Sequence, residues 1–417
     1  MLEDKSISKI ISLIQSKEVS VREVVEYYLK KIKKYNQTLN AIVLQIDEQK
    51  ILDEANSIDK KDNSKEKPLI GLPMACKDLF DIEGLPSTYG YPDFKNNIAK
   101  KNSLIVDRLK KNGAIIIGKT NTAELGVGGH TTNRLFGPTS NPYNISKSAA
   151  GSSGGAGSAV AAGLLPFADG TDMMGSCRAP AAYANIYGFR PTTGLIPTDR
   201  SGENRVDNFP ILTSPGCFAK TPEDMCILLD CIVGADSLDP LSISLNTSFK
   251  EYLKNKIEFS NIKVCWLSDL NGAYNFEHGI IEMCENKLKD LNNHNLEIEP
   301  LKSKINSNDL WECWTTLRAR SIFEDTISMN IDDIDKMTPQ AIWEYNKGEK
   351  VNKEDINKAL KQKLNCVKQI DEIFNKYDFL ILPSAQVFPF DKNLQYPNQI
   401  NGKQLDTYHR WIEVFII

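Results

Sequence analysis

At 417 residues, with 41% apolar and 25% charged side chains, the chain is long enough to bury a sizeable core and too apolar for extensive disorder. A formal net charge of -4 leaves no basic excess to neutralise phosphates, which argues against nucleic acid as a direct partner. Nine cysteines without CxxC pairs and four scattered histidines give neither a disulfide framework nor a zinc site, so reduced, mostly buried thiols and no metal are expected.

The acidic start Met1-Leu2-Glu3-Asp4-Lys5 leads into an amphipathic pattern, unlike a secretory signal, and no apolar run is long enough to span a membrane, so the expected compartment is the cytoplasm. Ser20 opens a capping box with Glu23, and Val21, Val24, Val25, Tyr28, Leu29 and Ile32 recur at helical spacing to about Tyr35. The lysine run over 30–34 belongs to the solvated face of that helix. Short apolar runs over 68–75 and 114–118, with a helix-like stretch over 103–112 between them, predict a β-α-β unit and a covered, partly parallel sheet.

A small-residue helix over 156–162 closed by Gly163, a strand over 164–168 and a helix with Pro180 near its first turn are expected next. From about 245 to 375 the composition shifts to Lys, Asn, Glu and Ile with helical periodicity, including a start at Thr338-Pro339, before a strand over 378–382. The pattern predicts an α/β chain in one domain over 1–417, with a core at about 65–240 and a more variable helical layer at about 245–375. The run Trp411-Ile412-Glu413-Val414-Phe415-Ile416-Ile417 sets a terminal carboxylate directly after apolar residues that ought to enter a core, the pattern of a chain that stops early.

The chemistry concentrates in three segments. Ala150-Gly151-Ser152-Ser153-Gly154-Gly155 and Thr171-Asp172-Met173-Met174-Gly175-Ser176-Cys177-Arg178 each hold glycine-flanked serines with no histidine nearby, which leaves a lysine as the base. Gly71-Leu72-Pro73-Met74-Ala75-Cys76-Lys77-Asp78 supplies one at the end of an apolar run. A lysine titrates near 10.4 in water and serves as a base only if burial lowers that value to roughly 7–8.

Together these segments resemble the amidase signature family of serine hydrolases. Further ordered matches over roughly 20–240 include Gly118-Lys119-Thr120-Asn121, Phe136-Gly137-Pro138-Thr139-Ser140-Asn141-Pro142, Gly188-Phe189-Arg190-Pro191-Thr192 and Ser214-Pro215-Gly216-Cys217. The resemblance implies a large mixed β-sheet core covered by helices on both faces, here without its C-terminal strands. It implies Ser176 as nucleophile, Ser152 as a bridging serine behind a cis peptide bond, and Lys77 as base. Backbone N–H groups of Met173, Met174, Gly175 and Ser176 would form the oxyanion hole, while Ser153, Asp172 and Arg178 would orient the lysine and brace the nucleophile loop. Because Met174 replaces a usual glycine, it must take a negative φ. No cofactor is implied. The implied partner is a small amide substrate, with room for a homodimer, and the Asp-Met-Met-Gly-Ser variant is similar to the branch of 6-aminohexanoate cyclic-dimer hydrolases.

Other readings remain open at this point. Gly151-Ser152-Ser153-Gly154-Gly155 also fits G-x-S-x-G, which would make Ser153 the nucleophile with His278, His294 or His409 as its partner. Lys77 could simply pair with Asp78. The glutaminase component of a tRNA-dependent glutamine amidotransferase shares the signature, and a degenerate, non-catalytic member would explain the altered oxyanion loop.

Overall fold

Ser20 and Glu23 exchange both capping-box hydrogen bonds at the head of a long helix, as their spacing requires. The computed structural model that contains it describes residues 2–3, 5–61, 67–200, 211–256, 258–291, 296–302 and 304–417. The chain divides into two compact units. One takes Met1–Glu203, Thr213–Lys254 and Asp391–Gln395; the other takes Asn204–Leu212, Asn255–Phe390 and Tyr396–Ile417. The boundary near 254 falls close to the shift in composition.

In the first unit, α1 (Ile7–Gln15) precedes α2 (Val21–Leu39), whose buried stripe is Val21, Val24, Val25, Tyr28, Leu29 and Ile32. The helix outruns Tyr35 by a turn because Asn40 stops it in the left-handed conformation at φ 51°. Next come β1 (Ile42–Gln45), α3 (Glu48–Lys60), β2 (Pro73–Lys77), α4 (Leu104–Lys111) and β3 (Ile115–Thr120). β2 and β3 pair in parallel across α4, as the β-α-β pattern requires, and β1 adds antiparallel to give the order β1-β3-β2.

The strand expected over 68–75 begins later, since residues 68–72 turn around Gly71 at φ 70°, where a Cβ would stand 2.6 Å from a Val21 methyl. Lys77 therefore ends a fully buried strand instead of standing in a loop.

The unit continues with α5 (Gly154–Ala161), β4 (Phe167–Asp172), α6 (Arg178–Ala184), β5 (Tyr187–Phe189), β6 (Ser214–Ala219), α7 (Pro222–Ile232) and α8 (Phe249–Tyr252). β4 lies downstream of its expected place because the N–H groups of Leu164 and Leu165 turn back onto the Ala159 carbonyl and close α5. β4, β6 and β5 form an antiparallel sheet in that order. The mixed α/β class stands, but among the described residues the strands form short ladders in place of one continuous sheet. β2 and β4 lie against each other without a ladder between them.

The second unit holds β7 (Lys263–Trp266), α9 (Ile280–Leu291), β8 (Glu297–Pro300), α10 (Ser307–Ser328), α11 (Pro339–Glu349), α12 (Lys353–Phe374) and β9 (Phe379–Ile381). β8, β7 and β9 form a parallel sheet in that order, and α10 packs on α11 and α12. Thr338 and Pro339 start α11 as expected, the proline fitting the first turn where no N–H partner is needed. A short ribbon, β10 (Gln399–Ile400) and β11 (Lys403–Gln404), leads to a 3-10 turn over Arg410–Ile416 in which Trp411, Ile412, Val414 and Phe415 are buried. Among the described residues no helix is long and apolar enough to cross a membrane.

Candidate active site

Three elements of the first unit meet at Lys77, whose side chain is fully buried at the end of β2. Its Nζ lies 2.7 Å from Ser152 Oγ, 2.7 Å from Ser153 Oγ and 2.8 Å from Thr171 Oγ1. No carboxylate of the described residues pairs with it: Asp78 instead pairs with the equally buried Lys119 at 3.1 Å and accepts from the Thr88 hydroxyl. Removing an ammonium from water without a contacting counter-ion pushes Lys77 down from 10.5 to about 8, and Asp169 and Asp172 oppose that shift only in part.

The Gly-Ser loop is built to bring its hydroxyls to that amine. The Gly151–Ser152 peptide bond is cis. A Cβ on Gly151 would stand 2.7 Å from Thr131 N, and one on Gly155 would stand 2.6 Å from the Ala41 carbonyl, so side chains are excluded where the backbones cross. Thr131 ties the loop down, its hydroxyl donating to the Ser152 carbonyl at 3.2 Å and accepting from Gly154 N at 2.7 Å.

His130 braces the same loop. Its Nε2 must donate to the Lys392 carbonyl (2.8 Å), so Nδ1 accepts from Ser148 Oγ (2.7 Å), and burial lowers the ring to about 4, which keeps it neutral.

The third element is the end of β4, which carries Thr171, with the loop that follows it. Asp172, buried, accepts from the N–H groups of Gly175 (2.8 Å), Cys177 (3.0 Å) and Arg178 (3.3 Å) and from the Arg178 guanidinium at 3.0 and 2.9 Å. Burial alone would raise its carboxyl, but the Arg178 guanidinium and these N–H groups hold it below the usual range. The carboxylate thus folds residues 173–178 around itself and presents Ser176. Ser176 Oγ donates to and accepts from no described residue, while its carbonyl accepts from Ser153 N at 3.3 Å.

One expected feature needs correction. The N–H of Gly175 is committed to Asp172 Oδ1, which removes it from the four donors expected to face an oxyanion. Met174 does keep a negative φ, and Gly175 carries the left-handed conformation at φ 87°.

The arrangement has a definite proton logic. A neutral amine offers two N–H donors and one lone pair. Ser153 directs its own O–H at the Thr171 carbonyl (3.3 Å) and so accepts from Nζ, leaving Ser152 able to donate into the lone pair. Ser153, the nucleophile of the G-x-S-x-G reading, has no histidine partner among the described residues. His278 is exposed, His409 is buried in the second unit, and His294 lies outside the described residues.

Comparison with known proteins is decisive at the level of family. The profile of the Amidase family matches residues 23–415. The chain belongs to the amidase family. An acylamidase of Rhodococcus erythropolis is 37% identical over 283 residues, covering 67% of this chain and 57% of that protein. A glutamyl-tRNA(Gln) amidotransferase subunit of Legionella pneumophila is 35% identical over 306 residues, covering 72% of this chain and 62% of its own length. The matched region is thus a little over half of each relative.

The fold matches a bacterial aryl acylamidase of the amidase signature family with a TM-score of 0.90 at 24% identity, over 99% of this chain and 87% of that one. It also matches a 6-aminohexanoate cyclic dimer hydrolase with a TM-score of 0.83 at 20% identity, over 99% and 87%. At these identities the two structures bear on the fold alone.

Sequence reasoning named Lys77, Ser152, Ser153, Ser176, Asp172 and Arg178, all of which the first unit contains, but missed Thr171, Thr131 and Asp169. The alternation of a strand running through 172 would have turned Thr171 toward the lysine, had β4 not been expected to end at 168.

Proposed function

We propose that the chain is an amidase that hydrolyses small linear or cyclic amides through an acyl-enzyme formed on Ser176. Lys77 serves as the base and cis-Ser152 as the proton bridge. The single observation that carries this reading is a buried lysine, lowered to about 8, at hydrogen-bond distance from Ser152. In it, Ser176 Oγ attacks the amide carbonyl and its proton passes through the Ser152 hydroxyl to Lys77 Nζ. The same path returns a proton to the leaving nitrogen, and water then cleaves the acyl ester. Met173, Met174 and Ser176 are the proposed N–H donors to the developing oxyanion. Asp172 and Arg178 shape that loop, and Ser153 orients the amine. The family profile runs across both compact units, which supports treating 1–417 as one amidase domain.

The amidotransferase relatives favour a second reading, a component that releases ammonia from glutamine within a larger assembly. Assay of the purified chain on a panel of linear and cyclic amides, and on glutamine, separates the two. Turnover of simple amides by the chain alone supports the first; glutamine hydrolysis only with partner chains added supports the second; and no labelling of Ser176 by a fluorophosphonate contradicts both.

A further inference from the structure

Lys77 is held by more than its amine. In a strand, the N–H groups of successive residues point to opposite neighbours. The N–H of Asp78 serves β3, donating to the Thr120 carbonyl at 3.1 Å, so that of Lys77 faces β4, with which β2 shares no ladder. The acceptor waiting there is a side chain: Lys77 N donates to Asp169 Oδ1 at 2.7 Å. Asp169 is itself buried, and its Oδ2 accepts no hydrogen bond from an N–H or O–H of the described residues, its neighbour being the weakly donating Cys76 thiol. A leucine or valine at 169 would leave the Lys77 N–H without this partner in a dry interior, so the carboxyl has a defined task.

We propose that Asp169 is a positioning residue for the base. It substitutes for a sheet hydrogen bond by holding the backbone of Lys77 toward β4, and as an anion it favours the charged form of the Lys77 amine. The inference rests on the reading of Lys77 as base.

On β2, Asp78 is neutralised by Lys119 of β3. On β4, Asp172 is neutralised by Arg178, with Arg190 close by. Cys76, Cys177 and Cys217 are buried thiols driven toward the neutral form by burial. Asp169 is thus the one buried carboxyl near Lys77 with no cation in contact among the described residues. Burial raises it to about 6, so above that pH it is an anion whose field favours the ammonium form of Lys77. Asp169 thus joins Cys177 and Asp172 in opposing the fall that burial imposes on the amine.

The test reads the rate of Ser176 labelling by a fluorophosphonate against pH, which needs no knowledge of the substrate. Asp169→Asn keeps a carbonyl that can accept from Lys77 N and removes the charge. Its acidic limb should move at least half a pH unit lower, whatever the height of its plateau. Asp169→Leu removes the acceptor too and should slow labelling at least tenfold at every pH. An Asn variant with an unmoved limb overturns the proposal while leaving Lys77 as base intact. If the variants do not fold, carboxyl-carbon NMR of the wild-type chain decides. The Asp169 signal should show a second inflection at the pH of the labelling limb, and a single inflection contradicts the coupling. Absence of Ser176 labelling in the wild type overturns the underlying reading and this inference with it.

Discussion

Lys77 Nζ and Ser152 Oγ stand 2.7 Å apart in the interior of the first unit, with Ser153 and Thr171 completing a cradle of three hydroxyls and no carboxylate touching the amine. A lysine held by neutral partners in a dry site is poised to lose its proton near neutrality.

Activity should rise with pH. Below about 8 Lys77 is an ammonium with no lone pair to act as the proposed base; above it the amine is free. The expected kcat/KM profile on any turned-over amide has an acidic limb near 8, and a limb near 6 or below would assign the base elsewhere.

The same shift has a stability signature. Folded Lys77 titrates near 8 and unfolded lysine near 10.5, so the unfolded chain binds the extra proton between those values. The cost of burying the charge is therefore fully present below about 8 and disappears as pH rises to about 10.5. Relative to Lys77→Met, the wild type should gain on the order of 3 kcal/mol across that window, measured by urea unfolding at fixed pH.

Lys119 and Asp78 form a wholly buried pair behind the site. Lys119→Met strands the Asp78 carboxylate and should cost about 3–5 kcal/mol, whereas the double variant Lys119→Met with Asp78→Leu should recover most of it. Thermal melts of the wild type, the two single variants and the double variant check the non-additivity.

Much of this was legible in the sequence. The glycines at 151, 154 and 155 marked a loop where backbones cross, and the structure places backbone or side-chain atoms where their Cβ atoms would be. Ser20 with Glu23, and Thr338 with Pro339, started helices because capping chemistry is local. Thr171 and Asp169 were not legible, because where β4 begins is decided by Leu164 and Leu165 folding back on α5, a contact no periodicity records. Nor was the loss of Gly175 as a donor, since it depends on where the Asp172 carboxylate points.

Asp172→Ala removes the acceptor for three backbone N–H groups and for Arg178, releasing the loop that carries Ser176. The expected loss is about 10²-fold or more in kcat with a smaller change in KM, the pattern of a misplaced nucleophile. A change confined to KM would limit Asp172 to substrate binding.

Whether Lys77 activates Ser176 is decided by fluorophosphonate labelling at pH 9, with the modified residue located by mass spectrometry, in the wild type and in Lys77→Ala. A single adduct on Ser176 is expected, whose rate of formation falls at least a thousandfold in the variant while its circular dichroism is unchanged. An adduct on Ser153, or a Lys77→Ala protein labelled at the wild-type rate, would contradict that activation.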